Sequence, residues 1–152
     1  MGTGGALESF LGAEVTVVSS DLAHNFAIGG TLAEGSGASG RGGGIDTFLA
    51  VTTMFASTLS DNHAIGGDGS ASGAGGTGLG GGMANVGGAM IFAGPASTIT
   101  GNHADGGSGG AGDGDGIGGG IFNAGSVFLF LPPIVLGNHA STAFDDAFDF
   151  PS

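Results

Sequence analysis

Four apolar stretches share one layout: EVTVVSSDLA from Glu14, LAVTTMFASTL from Leu49, AMIFAGPASTIT from Ala89 and SVFLFLPPIVL from Ser126. Each is a run rich in Val, Ile, Phe and Thr, then a corner, then a second short run. That is the pattern of two β-strands joined by a bend. The corners fall at Ser19-Ser20, Ala56-Ser57, Ala96-Ser97 and Pro132-Pro133. Proline cannot donate a ladder hydrogen bond within a paired strand, so Pro132-Pro133 mark a bend and not a strand interior.

The stretches sit inside a larger repeat. A glycine signature precedes each one, and its apolar residue is Leu7, Ile45, Met83 or Ile121, spaced 38 positions apart. Two residues later comes a small polar side chain: Ser9, Thr47, Asn85 or Asn123. Each stretch then runs into a second signature, apolar-x-x-Asn-x-Ala: LAHNFA from Leu22, LSDNHA from Leu59, ITGNHA from Ile99 and VLGNHA from Val135. Four copies with both signatures in one order predict a repeat architecture.

We read the unit as three short strands with two or three corners, wound into an all-β parallel β-helix, or β-solenoid, of about four coils, with copies starting near residues 4, 42, 80 and 118. The four-coil solenoid then covers residues 1–140, and residues 141–152 form a Phe/Asp-rich strap or cap. Equivalent apolar residues stack to fill the interior, so Leu7, Ile45, Met83 and Ile121 form one core row. Asn25, Asn62, Asn102 and Asn138 form an asparagine ladder at the backbone spacing of about 4.7–4.8 Å. A sandwich of independent hairpins explains the strands but not the fixed period.

The paired signatures, GGAL at Gly4, GGGI and GGGM before Ile45, Met83 and Ile121, and the four apolar-x-x-Asn segments, resemble repeats of polymorphic outer-membrane proteins and autotransporter adhesin passengers. The resemblance covers about residues 4–140 outside the glycine tracts. It implies a right-handed parallel β-helix and a place at the cell surface.

Composition changes the picture in two ways. Glycine accounts for 38 of 152 residues, and Trp, Tyr and Cys are absent, so an ordinary mixed core is not expected. Much of that glycine lies in three tracts between the asparagine signature of one copy and the glycine signature of the next. Gly40, Gly78 and Gly116 recur in step, as do Gly43, Gly81 and Gly119. Glycine at every third place lets polyproline-II segments pack side by side; irregular ordered loops are the other reading.

Charge is the second change. One basic residue, Arg41, faces thirteen acids, for a formal net charge of -12. Without a Lys/Arg patch to release counterions, nucleic acid is excluded as a partner. The longest apolar run is too short for a membrane span and is broken by proline. No basic stretch followed by an apolar one opens the chain, so no signal peptide is expected within it.

Candidate chemistry is thin. His63, His103 and His139 follow the repeated asparagine and stack about 5 Å apart. Two neighbours can share a metal ion, but three cannot converge on one at about 2 Å. Phe26 at the same place in the first copy favours a packing role. GGAGDGDG resembles a calcium nonapeptide, but Asp113 and Asp115 straddle the required position. Calcium is therefore only a weak expectation, and no cofactor is assigned. Glu8, Glu14, Asp21, Asp46 and Asp61 are scattered with no repeated pair, which argues against a carboxylate-based carbohydrate enzyme.

The expected function is therefore structural: an extracellular or cell-surface protein that assembles head to tail with itself into a fibre or matrix. Phe144, Phe148 and Phe150 of the strap serve as the subunit contacts, or the strap folds back over its own last coil. The alternative is an adhesin-type segment of a longer surface protein, contacting surface glycans or cells through its loops.

Overall fold

In the computed structural model, which describes residues 1–149, the regular elements are all β-strands and the strand pairings are all parallel. Phe150 lies outside the described residues. The chain winds through about four turns of a β-solenoid with a repeat near 38 residues. Each turn has five strand positions, two more than the three short strands expected per copy, because the first position and the short fifth strand carry little hydrophobic pattern.

The first position is only two residues long: Gly2–Thr3, Gly40–Arg41, Gly78–Leu79 and Gly116–Ile117. The second holds Leu7–Phe10 and Ile45–Phe48, and the third Glu14–Val18 and Val51–Phe55. In later turns these two fuse into the long strands Met83–Phe92 and Ile121–Leu129. The fourth holds Asp21–Ala23, Thr58–Ser60, Thr98–Thr100 and Ile134–Leu136. The fifth holds Phe26–Ile28, His63–Ile65, His103–Asp105 and His139–Ala140.

Stacking in register follows from the side-chain alternation of a strand. Leu7 pairs with Ile45, Ile45 with Met83 and Met83 with Ile121, which makes one inward row. Ile45, Met83 and Ile121 are fully buried, joined by Met54, Met90, Phe92, Leu59 and Ile99 from the third and fourth positions. The core therefore lies between the second, third and fourth walls. The fifth wall turns in only Ala27, Ala64, Ala104 and Ala140, because the glycines of the first wall press against its backbone: a β-carbon on Gly40 would lie 2.2 Å from the Ile65 carbonyl oxygen.

The corner before each ladder asparagine needs a left-handed backbone. His24, Asp61, Gly101 and Gly137 occupy it with φ of 57°, 52°, 66° and 67°. This accounts for the shift from HN and DN to GN along the repeats: only glycine holds that conformation without a β-carbon penalty.

The glycine tracts are packed, not loose. Each runs outward from the fifth strand and returns to the next first strand, and the two limbs bond in alternation through the stack. Ala38 N donates to Gly30 O, Gly67 N to Ala38 O, Gly76 N to Gly67 O, Gly107 N to Gly76 O and Gly114 N to Gly107 O, each at 2.8–3.0 Å. The limbs carry no strand ladder, and the glycines that recur in step, Gly40, Gly78 and Gly116, lie not in the limbs but in the first strand position.

Arg41 and Asp46 staple the outer corner between the first and second walls. Nε and Nη2 of Arg41 donate to Asp46 Oδ2 at 3.1 and 2.7 Å, and the guanidinium also lies 5.0 Å from the centre of the Phe48 ring. Both residues are buried, and Asp46 Oδ1 has no partner. Burial pushes the Asp46 carboxyl above its usual range, and the Arg41 bond and charge oppose this only in part. A raised carboxyl pKa favours the folded state below the unfolded value, and that contribution is lost as pH rises through the folded value. Arg41→Ala strands a buried carboxylate and is expected to cost roughly 3–5 kcal/mol near neutral pH. The penalty should shrink as the pH falls and the Asp46 carboxyl takes up its proton; urea midpoints of the two proteins at neutral and acidic pH check this.

Candidate functional site

Three features of the solenoid can carry function: the asparagine column with its terminator, the histidine column, and the strand edges at the two ends.

Asn25, Asn62, Asn102 and Asn138 stand one above another, 37, 40 and 36 residues apart. In each step one Oδ1 accepts from both the backbone N and the Nδ2 of the asparagine in the preceding turn, at 2.9–3.0 Å. Asn62, Asn102 and Asn138 are buried, and their Nδ2 groups also donate to Leu22 O, Leu59 O and Ile99 O. A second, shorter polar column runs inside the second wall, where Asn85 Nδ2 donates to Asn123 Oδ1 at 2.8 Å.

The column ends on Asp146, whose Oδ1 accepts from Asn138 N at 3.1 Å and Nδ2 at 3.0 Å. Asp146 occupies the place held in the coils by Gly44, Gly82 and Gly120, since Ala147 pairs with Ile121. In the coils a β-carbon there would crowd the asparagine of the same turn, at 3.2 Å from Asn62 and 2.8 Å from Asn138. No fifth asparagine exists, so a side chain fits, and its carboxylate takes the missing acceptor's place. Sequence reasoning missed this residue.

The rest of the strap supports that cap. Ala147–Phe148 pairs with Ile121 and Phe122, Phe148 stacks on Phe122 at 5.2 Å, and Ala140 N donates to Asp145 Oδ1 at 2.9 Å. Phe144 meets Phe148 edge-on at 4.9 Å and is 54% exposed. Thus Phe148 packs on its own chain, and Phe144 borders it.

The histidine column lies on the outer side of the fifth wall. Phe26 pairs with His63, His63 with His103 and His103 with His139. The Phe26 and His63 rings stack at 4.9 Å, and those of His63 and His103 at 4.7 Å, 5° from parallel. His139 breaks the stack: its ring stands 69° to that of His103, with Nδ1 3.4 Å from Asp145 Oδ1. Burial, and then the neighbouring His103 ring, holds His63 below the usual imidazole value against the opposing pull of Asp105 and Asp61. Asp105 takes the place of Ile28 and Ile65 in the register. One donor atom from each of His63, His103 and Asp105 lies within 4.8 Å of the others.

Asp113 and Asp115 are not brought together with other donors in this way. Asp113 accepts from Gly109 N at 3.2 Å in a shallow hollow at the tips of the tracts, beside Asp68 and Ser108. Asp115 is exposed.

At the N-terminal end, Leu7–Phe10, Glu14–Val18, Asp21–Ala23 and Phe26–Ile28 each have a partner on one side alone. At the other end the strap covers only the first, second and part of the fifth walls. Ile134–Leu136 and the Ser126–Leu129 half of its long strand keep an open edge. Around that edge Phe128, Phe130, Leu131, Ile134 and Leu136 are exposed, Phe130 at 77%.

No helix among the described residues is long and apolar enough to cross a membrane. Compared with known proteins, the chain matches no family model, no curated protein and no solved structure.

Proposed function

We propose that this protein is a non-enzymatic structural element of the cell surface or extracellular matrix that associates with itself end to end. The observation that supports this is the open strand edge at both ends in the same two walls. Glu14–Val18 and Asp21–Ala23 are unpaired at one end, and Ser126–Leu129 and Ile134–Leu136 at the other. An edge that stays open is a template for another chain, and a head-to-tail contact that does not close on itself propagates. The strap supplies the first two positions of a fifth turn, so the joint is a step and not a flat face. The extracellular setting rests on composition and on the repeat's resemblance to surface passengers. Electron microscopy and light scattering of the full chain across a concentration series test the reading. Filaments or concentration-dependent oligomers support it, and a monomer at every concentration sinks it.

A second reading is supported by the exposed Phe128 and Phe130 on the last turn. Aromatic faces of this kind suit an adhesin-type contact with surface glycans. Glycan binding lost in a Phe128→Ser, Phe130→Ser double variant, with the solenoid intact by circular dichroism, would favour it.

A further inference from the structure

We propose that His63, His103 and Asp105 bind one divalent transition-metal ion of the zinc type, clipping the second turn to the third. The three donors converge because of the register alone. His63 and His103 are direct partners on adjacent strands, and Asp105 follows His103 by two residues on the same outer face. Two imidazoles and a carboxylate form a common zinc set that leaves a fourth position for water. Nitrogen donors select zinc, nickel or copper over calcium, which takes six to eight oxygens.

The geometry requires only a small closure. Tetrahedral zinc holds its donors at about 2.0–2.1 Å, which places donor atoms roughly 3.3 Å from one another. They now lie within 4.8 Å of one another, and all three side chains are partly exposed. Both imidazole rings, now stacked at 4.7 Å and 5° from parallel, have to turn out of that stack for their lone pairs to meet at one ion. Among the described residues no group donates a hydrogen bond to the Asp105 carboxylate, so no such bond has to break. The formal net charge of -12 raises the local concentration of cations. His139 is excluded from the set because its ring is turned edge-on toward Asp145.

Zinc chloride titrated into the chelator-treated full chain by calorimetry should show one equivalent bound, with a matching rise in Tm; calcium should produce neither. His63→Phe copies the arrangement of the first turn, where Phe26 fills this place, so the fold is retained. That variant is expected to weaken zinc binding by about 100-fold or more, and Asp105→Asn by about 10-fold. His139→Phe should leave binding unchanged. No heat and no Tm shift with zinc would overturn the proposal. So would equal binding by the His63→Phe variant, or a loss confined to His139→Phe.

Discussion

Asn102→Ala should lower the stability of the solenoid by about 4 kcal/mol, whereas Asn25→Ala should cost only about 1 kcal/mol. The difference comes from position in the column. Asn102 Oδ1 is the acceptor for both Asn62 N and Asn62 Nδ2, and its own Nδ2 donates to Asn138 Oδ1, Leu59 O and Thr100 O. Truncation strands two buried donors, each costing about 1–3 kcal/mol when left unpaired, and leaves a cavity besides. Asn25 ends the column, so its truncation removes donors to Asn62 Oδ1 and Ala23 O and strands nothing above it. Domains hold about 5–15 kcal/mol in total, so the Asn102 variant comes close to unfolding. Urea midpoints of the two variants, compared at equal m-value, measure the gap.

The glycine tracts predict an equally sharp contrast between neighbours. A β-carbon at Gly29 would lie 1.9 Å from Ala38 O, and one at Gly75 would lie 1.8 Å from Gly107 O, both backbone atoms of a packed limb. Gly30, next along the chain, faces open space and has no left-handed φ. Gly29→Ala or Gly75→Ala is therefore expected to cost about 3 kcal/mol, at the upper end of overpacking. Gly30→Ala should gain about 0.4–1 kcal/mol by restricting the unfolded chain. Thermal unfolding reports the sign. Amide exchange shows where the loss falls, with protection lost first across residues 29–38, 66–76 and 106–114. Equal behaviour of Gly29→Ala and Gly30→Ala would mean that the limbs are not in contact.

How much of this was legible in the sequence depended on whether a feature repeated. The inward row through Leu7, Ile45, Met83 and Ile121 and the asparagine column could be read because stacking puts the same side chain under the same constraint in every turn. The spacing of the asparagines drifts between 36 and 40 residues because insertions fall in the corners and tracts, yet the pairing keeps its register. The first strand position was not legible: two residues beginning with glycine carry no hydrophobic alternation.

Features that occur once were the hardest to see. The Arg41–Asp46 pair forms across a corner of the fold that no pattern marks. The C-terminal Phe/Asp-rich segment begins a fifth turn, which its sequence, lacking the glycine signature, does not reveal. Its Ala147 lies 26 residues after Ile121 (147 − 121), because it skips the glycine excursion that sets the longer period elsewhere. The histidine column was plain from the repeated Asn-His pair. The place of Asp105 beside it emerges only once the fifth strands are aligned and Asp105 is seen to replace Ile28 and Ile65.

The side-chain amides of Asn25, Asn62, Asn102 and Asn138 all point one way, each oxygen toward the N-terminal turn and each Nδ2 toward the C-terminal one. Their dipoles add along the axis, as peptide dipoles do in a helix. The positive pole of this array faces the carboxylate of Asp146, so an anion sits where the summed field favours it. The opposite pole is an unmatched oxygen on Asn25, which gives the rod an electrical direction. A chain that lengthens it in this column must arrive at the N-terminal face carrying hydrogen-bond donors.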